Sequence, residues 1–179
     1  MADTSDAAKG GNAAAATNSG DAAAGEAQAA PRLAIVSQYI RDLSFENPRG
    51  SNIGKSGASR PEIQVRVDVR PKPAGEGAFE IELEMNVDAK ADNEQVFVLE
   101  LTYCGVFNLA NIPDNALQAL LMIECPRILF PFARRIVSDV TRDGGFPPLN
   151  LDNIDFVALY RQQLAQQQQA AAAENAPAN

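Results

Sequence analysis

Phe79-Glu-Ile-Glu-Leu-Glu-Met-Asn-Val87 sets an apolar side chain at every odd position and a polar one at every even position. A period of two over this length predicts a strand with one face buried and one face wet. The stretch just before it behaves the same way. Ile63, Val65, Val67 and Val69 alternate with Gln64, Arg66, Asp68 and Arg70. Between the two lies Pro71-Lys-Pro-Ala-Gly-Glu-Gly-Ala78, which is rich in turn formers, so a hairpin with a loose loop is expected.

Two more strands flank this hairpin. The first is expected over Leu33 to Phe45, with Ile35, Tyr39, Leu43 and Phe45 on one parity and Ile40, Asp42, Ser44 and Glu46 on the other. The fourth is expected from about Gln95 to Tyr103, where Phe97, Leu99, Leu101 and Tyr103 face one way and Val96, Val98, Glu100 and Thr102 the other. Apolar residues on both sides of that strand imply cover on both faces, either by a partner or by a central place in the sheet. Residues 47–60, rich in Gly and Ser, are too long for a tight turn and read as a crossover. They contain Gly54-Lys55-Ser56, but Arg49 stands where a phosphate loop needs its first glycine, which argues against nucleotide binding.

After Gly105 the period changes to three and four. Leu117, Leu120, Leu121, Ile128, Phe132, Ile136 and Val140 describe a helix, with Pro113 and Asp114 suited to its start. Pro126 and Pro131 fall inside it, and each predicts a bend or break, because proline lacks the donor and crowds the preceding turn. Gly144-Gly145 ends the helix. Phe146-Pro-Pro-Leu-Asn-Leu151 is an extended connector, and a second helix starts with Asp152 or Asn153 as its cap and fades into glutamines.

Of the 179 residues, 1–30 and 166–179 are poor folding material: Ala, Gly, Asn and Ser at the front, Gln and Ala at the back. Such segments bury too little apolar surface to offset their ordering entropy, so both read as flexible tails around one domain at 31–165. A net charge of −8 argues against nucleic acid and suits either simple solubility or a basic partner. The front end has no apolar run for a signal peptide, and no stretch reads as a membrane span. The chain has no histidine, so the commonest general base and metal ligand are missing. Cys104 and Cys125 read as reduced thiols without a catalytic partner. Glu80, Glu82 and Glu84 lie on the wet parity and read as a solvated face. No catalytic residue, metal site or cofactor is expected, and a carboxylate-based enzyme finds no support.

Several blocks carry a resemblance: Arg41-Asp-Leu-Ser-Phe-Glu-Asn-Pro48, Pro61-Glu-Ile63, Gly105-Val-Phe-Asn-Leu109, Cys125-Pro-Arg-Ile-Leu-Phe-Pro-Phe-Ala-Arg134 and the connector from Phe146. In order and spacing they resemble the bacterial export chaperone family SecB from about Leu33 to Leu164. The resemblance implies an α+β fold: a four-stranded antiparallel sheet followed by a long Pro-bent helix and a second C-terminal helix packed on one face. It also implies a homotetramer built as a dimer of dimers. The implied activity is ATP-independent: holding unfolded preproteins in the cytoplasm and delivering them to the SecA motor. A relative dedicated to one client, such as a toxin–antitoxin pair, is the alternative. By the resemblance, Asp42, Glu46, Val98 and Glu100 would bind SecA. Ile63, Val65, Val67, Phe107, Phe156, Tyr160 and Leu164 would bind preprotein. Leu99, Leu101 and Tyr103 would lie at the oligomer interface.

Overall fold

The structure, a computed structural model, describes residues 30–48, 50 and 60–174, with side chains to residue 169. The N-terminal tail to residue 29, the Gly54-Lys55-Ser56 stretch and residues 175–179 lie outside the described residues. Strands β1 (Arg32–Glu46), β2 (Glu62–Gly75), β3 (Ala78–Ala91) and β4 (Glu94–Ala110) form one antiparallel sheet in the order β1-β4-β3-β2. The two outer strands are therefore consecutive in sequence, and the chain crosses from one edge to the other between them. β3 and β4 meet at Asp92-Asn93, both with positive φ (53° and 64°), the geometry of a two-residue hairpin turn.

Two strand boundaries and the register of one strand differ from the sequence reading. β2 and β3 stay paired through Pro71 and Pro73 to Gly75, so the hairpin is tight and not loose. Proline is tolerated there because β2 is an edge strand, where a missing donor need not break a ladder. β4 runs past Tyr103 and Gly105 to Ala110, paired on both sides. In β1 the register shifts between Ile35 and Ser37 and again between Ile40 and Asp42. Each bulge inserts one residue and reverses the parity that follows. Tyr39 therefore shares the face of Asp42, Ser44 and Glu46, while Ile40 joins Leu43 and Phe45 on the opposite face.

The apolar face of the two inner strands makes the core. Ile81, Leu83, Met85, Val87 and Leu99 are wholly buried, and Leu101 and Phe97 nearly so. They lie beneath a continuous helical stretch: α1 (Asp114–Ala119), a wider π turn (Leu120–Glu124) and α2 (Cys125–Asp143). The π turn accounts for Pro126. The Cys125 N–H bonds back to the Leu120 carbonyl, one residue further than an α-turn reaches, just before the proline ring needs room. No break occurs at Pro131; α2 continues through it to Asp143. Asp114–Asp143 spans 30 residues and is long and apolar enough to cross a membrane by length and composition, contrary to the sequence reading. Its buried side chains, among them Leu129, Phe130, Ala133 and Val137, mark it as the helix that roofs the sheet.

Gly145, at φ 88°, turns the chain out of α2. Phe146 then packs on Phe97 and Phe45 with ring centroids 4.9 and 6.4 Å apart. The second long helix, α3 (Phe156–Glu174), is capped by Asp155 and not by Asp152 or Asn153. The Asp155 carboxylate accepts the N–H groups of Val157 and Ala158, both at 3.0 Å. The α3 backbone continues beyond residue 165 into the glutamine- and alanine-rich stretch, whose residues are good helix formers.

β4 and α2 approach closely at Gly105. A Cβ there would lie 2.5 Å from Leu129 Cδ2 and 2.9 Å from Phe107 Cε2, both on wholly buried side chains. Gly105→Ala is expected to destabilise the fold by about 1–3 kcal/mol through overpacking. The midpoint of urea unfolding measures this, and an unchanged midpoint would show that the roof can lift.

Candidate functional site

Two surfaces of different chemistry lie on opposite faces of the sheet. The first begins at edge strand β2. Ile63, Val65 and Val67 point to the helix-covered face, yet Ile63 and Val65 are about two-fifths exposed (39% and 40%) because the roof does not reach them. Opposite them run Leu149, Leu151 and Ile154 of the connector and Leu159 of α3, and together they line an open groove of about 550 Å³. The connector is strapped to α2. The Leu149 N–H donates to Thr141 Oγ1 at 2.9 Å, and Thr141 Oγ1 donates in turn to the Val137 carbonyl at 2.9 Å. Arg134 reaches the Leu151 carbonyl and Asn153 Oδ1 at 3.4 and 3.3 Å. The groove therefore has one wall of strand and one of extended chain, and β2 has no strand paired on its outer side among the described residues.

The other residues expected to touch preprotein are distributed differently. Phe107 and Phe156 are buried (0% and 1% exposed); Phe156 packs edge-on against Phe130 and has no free surface in this protomer. Tyr160 is half-buried against the core, and Leu164 is exposed further along α3. Leu149, Leu151, Ile154 and Leu159 were not anticipated, although Leu149-Asn-Leu151 alternates as a strand would. Leu99 and Leu101 are wholly packed inside the protomer beneath α2. Tyr103 is nearly buried, stacked on Phe132 at 6.4 Å, and its hydroxyl donates to Gln38 Oε1 at 3.2 Å. The exposed apolar side chains lie elsewhere: Ile35, Val36, Ile40 and Leu43 on β1, and Phe132 on α2.

The second surface is the open face of the sheet. Cross-strand pairing sets Ser44 beside Glu100 and Glu46 beside Val98, with Asp42 opposite Thr102. Asp42, Glu46, Val98 and Glu100 thus share one face of two neighbouring strands; the three carboxylates are exposed and Val98 is half-buried. None of the three carboxylates has an ion pair among the described residues.

Further along the same face the acid is neutralised. Arg41, at the second bulge of β1, holds Glu80 through both oxygens at 2.7 and 2.8 Å and also pairs with Glu82. Lys72 Nζ lies 2.6 Å from Glu82, and Arg70 lies 2.7 Å from Glu84. Glu82 is 3% exposed, so the solvated reading fails for it: the cations across the strands cover it. The Tyr39 hydroxyl donates to Glu80. That bond, with the Arg41 guanidinium second, holds the Glu80 carboxyl below the usual carboxylate value. Cys104 forms the floor under this cluster, wholly buried between Tyr39 and Glu82 in the pairing. Burial pushes its thiol up, and pushes the Cys125 thiol in the core up to about 12, so both are held protonated and unreactive. Both cysteines are free. Among the described residues no group of His, Cys, Asp and Glu is arranged to hold a metal.

The family described as "SecB: Preprotein translocase subunit SecB" matches residues 26–167. The protein-export protein SecB of Dinoroseobacter shibae is 52% identical over 150 residues, covering 82% of this chain and 86% of that one. That of Parvibaculum lavamentivorans is 48% identical over 159 residues, covering 88% and 95%. That of Maricaulis maris is 47% identical over 150 residues, covering 84% and 86%. Among solved structures, a Mycobacterium tuberculosis SecB-like chaperone in complex with an antitoxin peptide aligns with a TM-score of 0.53 at 18% identity, covering 69% of this chain and 91% of that one. At that identity it supports the fold alone. By the extent of the family match and by close relatives over most of its length, this chain belongs to the SecB family.

Proposed function

We propose that this protein is an ATP-independent chaperone that binds unfolded preproteins, keeps them competent for translocation and delivers them to the SecA motor. The observation that carries the reading is the apolar groove beside the β2 edge, which has no strand on its outer side among the described residues: Ile63 and Val65 with Leu149, Leu151 and Leu159. An unfolded segment laid there hides its side chains from water, and each Leu- or Phe-sized group contributes roughly 1.5–3 kcal/mol before ordering costs. The edge of β2 offers main-chain donors and acceptors to an extended chain, which gives affinity without reading its sequence. A folded client keeps those groups inside, so binding draws the client away from its folded state.

The site acts in the cytoplasm, before export, in this reading. A tetramer fits the apolar side chains left uncovered on β1 and the exposed Phe132 of α2, because contiguous apolar surface of this kind is typical of contacts between copies. Several grooves on one assembly then add avidity along one long client. The docking surface for SecA is the open-face set Asp42, Glu46, Val98 and Glu100: unneutralised carboxylates around one half-buried valine, suited to a basic partner with a small apolar anchor.

Aggregation of a denatured secretory precursor on dilution is expected to fall in the presence of a stoichiometric amount of this protein, without nucleotide. Val65→Asp is expected to weaken client binding by about tenfold or more, as one lost apolar contact plus a desolvated charge requires. Undiminished aggregation at excess chaperone overturns the reading, and recovery of one dedicated client in place of many precursors selects the toxin–antitoxin alternative. Asp42→Lys and Glu100→Lys are expected to weaken SecA binding and leave precursor binding intact. Titration of each ligand in turn checks this, and equal loss of both, with the assembly unchanged in mass, contradicts the assignment of the open face.

A further inference from the structure

The acid on the open face is divided, and Arg41 holds two of the neutralised carboxylates, Glu80 and Glu82. Glu80, Glu82 and Glu84 lie on the same face as Asp42, Glu46 and Glu100, so by position alone all six carboxylates are available to a basic partner. By contact they are not. Arg41 pairs with Glu80 and Glu82, Lys72 with Glu82 and Arg70 with Glu84. Asp42, Glu46 and Glu100 have no such cation among the described residues.

Arg41 can do this because of where it sits. It is the residue inserted by the second bulge of β1, and its guanidinium spans β4 to meet carboxylates on β3. The floor it crosses is Cys104, a small side chain wholly buried beneath it. The next residue in the chain is Asp42. The bulge that aims Arg41 across the sheet also returns Asp42 to the open face.

We propose that Arg41 is the specificity-determining residue of the docking face: by occupying Glu80 and Glu82 it confines a basic partner to Asp42, Glu46 and Glu100. The inference rests on the docking role proposed above. Without Arg41, Glu80 keeps only the neutral Tyr39 hydroxyl and the Lys72 opposite it, and Glu82 keeps Lys72 with Arg70 opposite, so a second acidic landing place opens two to four cross-strand pairs along the sheet from Asp42. The partner then binds in two positions, and its dependence on Glu100 weakens.

Purified SecA is the probe, titrated at fixed low salt against the full-length protein. In the wild-type background Glu100→Lys is expected to weaken binding by about tenfold, the scale of an exposed charge reversed at a complementary interface. In an Arg41→Met background the same substitution is expected to cost less than about threefold, because Glu80 and Glu82 offer an alternative. Adding Glu80→Gln and Glu82→Gln to Arg41→Met is expected to restore the tenfold cost, an outcome that mere loosening of β1 would not produce. Arg41→Gln serves as a second variant if the methionine form fails to fold, with thermal melting and assembly mass as controls. An equal cost of Glu100→Lys with and without Arg41 overturns the inference while leaving the docking role standing. No cost of Glu100→Lys in the wild-type background overturns the docking role and this inference with it.

Discussion

A single helix roofs a four-stranded sheet, and its width governs what the protomer can bury. A helix is about 10 Å across and strands lie about 4.8 Å apart, so one helix covers roughly two strands. α2 lies on β3 and β4, whose inward side chains are buried almost without exception. The outer strands carry the same apolar pattern without the roof. Ile40 on β1 is 46% exposed although it points to the same face as wholly buried Leu99. The fold thus leaves two apolar margins, one along β1 and one along β2, and each is a surface with unsatisfied burial. The connector half-closes the β2 margin into a groove, while on β1 its Phe146 covers Phe45 and leaves Ile35, Ile40 and Leu43 exposed.

The opposite face obeys a different constraint. Nothing among the described residues roofs it, so it must be wet, and its carboxylates must be either solvated or paired. Both solutions appear side by side. Near the centre, three glutamates are neutralised by Arg41, Arg70 and Lys72 across neighbouring strands. Toward the end of β1, Asp42, Glu46 and Glu100 lie around Val98 with no ion pair among the described residues. One sheet therefore separates two surfaces by its own thickness: an apolar margin on one side and a charged face on the other.

Much of this arrangement can be read from the chain. The alternation of β2 and β3 announces the hairpin and its two faces, and parity sets Asp42 with Glu46 and Val98 with Glu100, while only the cross-strand pairing brings the two pairs onto one face. What escapes reading is whatever breaks a period. Two bulges in β1 exchange the faces of Tyr39 and Ile40, and no residue pattern marks an inserted position. The π turn before Pro126 absorbs a proline that by propensity ends a helix. Burial is also set by tertiary neighbours: Phe107 and Phe156, groove positions by the resemblance, are buried, Phe107 in a strand paired on both sides and Phe156 against Phe130 of α2. The second groove wall is a connector whose position depends on Thr141 and Arg134, residues that sequence alone gives no reason to single out.

Hydrogen exchange with and without a denatured secretory precursor tests the division of labour between the two faces most directly. Amides of β2 and of residues 149–154 are expected to slow on binding, because an extended client pairs with the strand edge and covers the connector, while residues 42–46 and 98–100 keep their rates. Protection confined to the open face, or none along β2, contradicts a client groove built on the unroofed margin of the sheet.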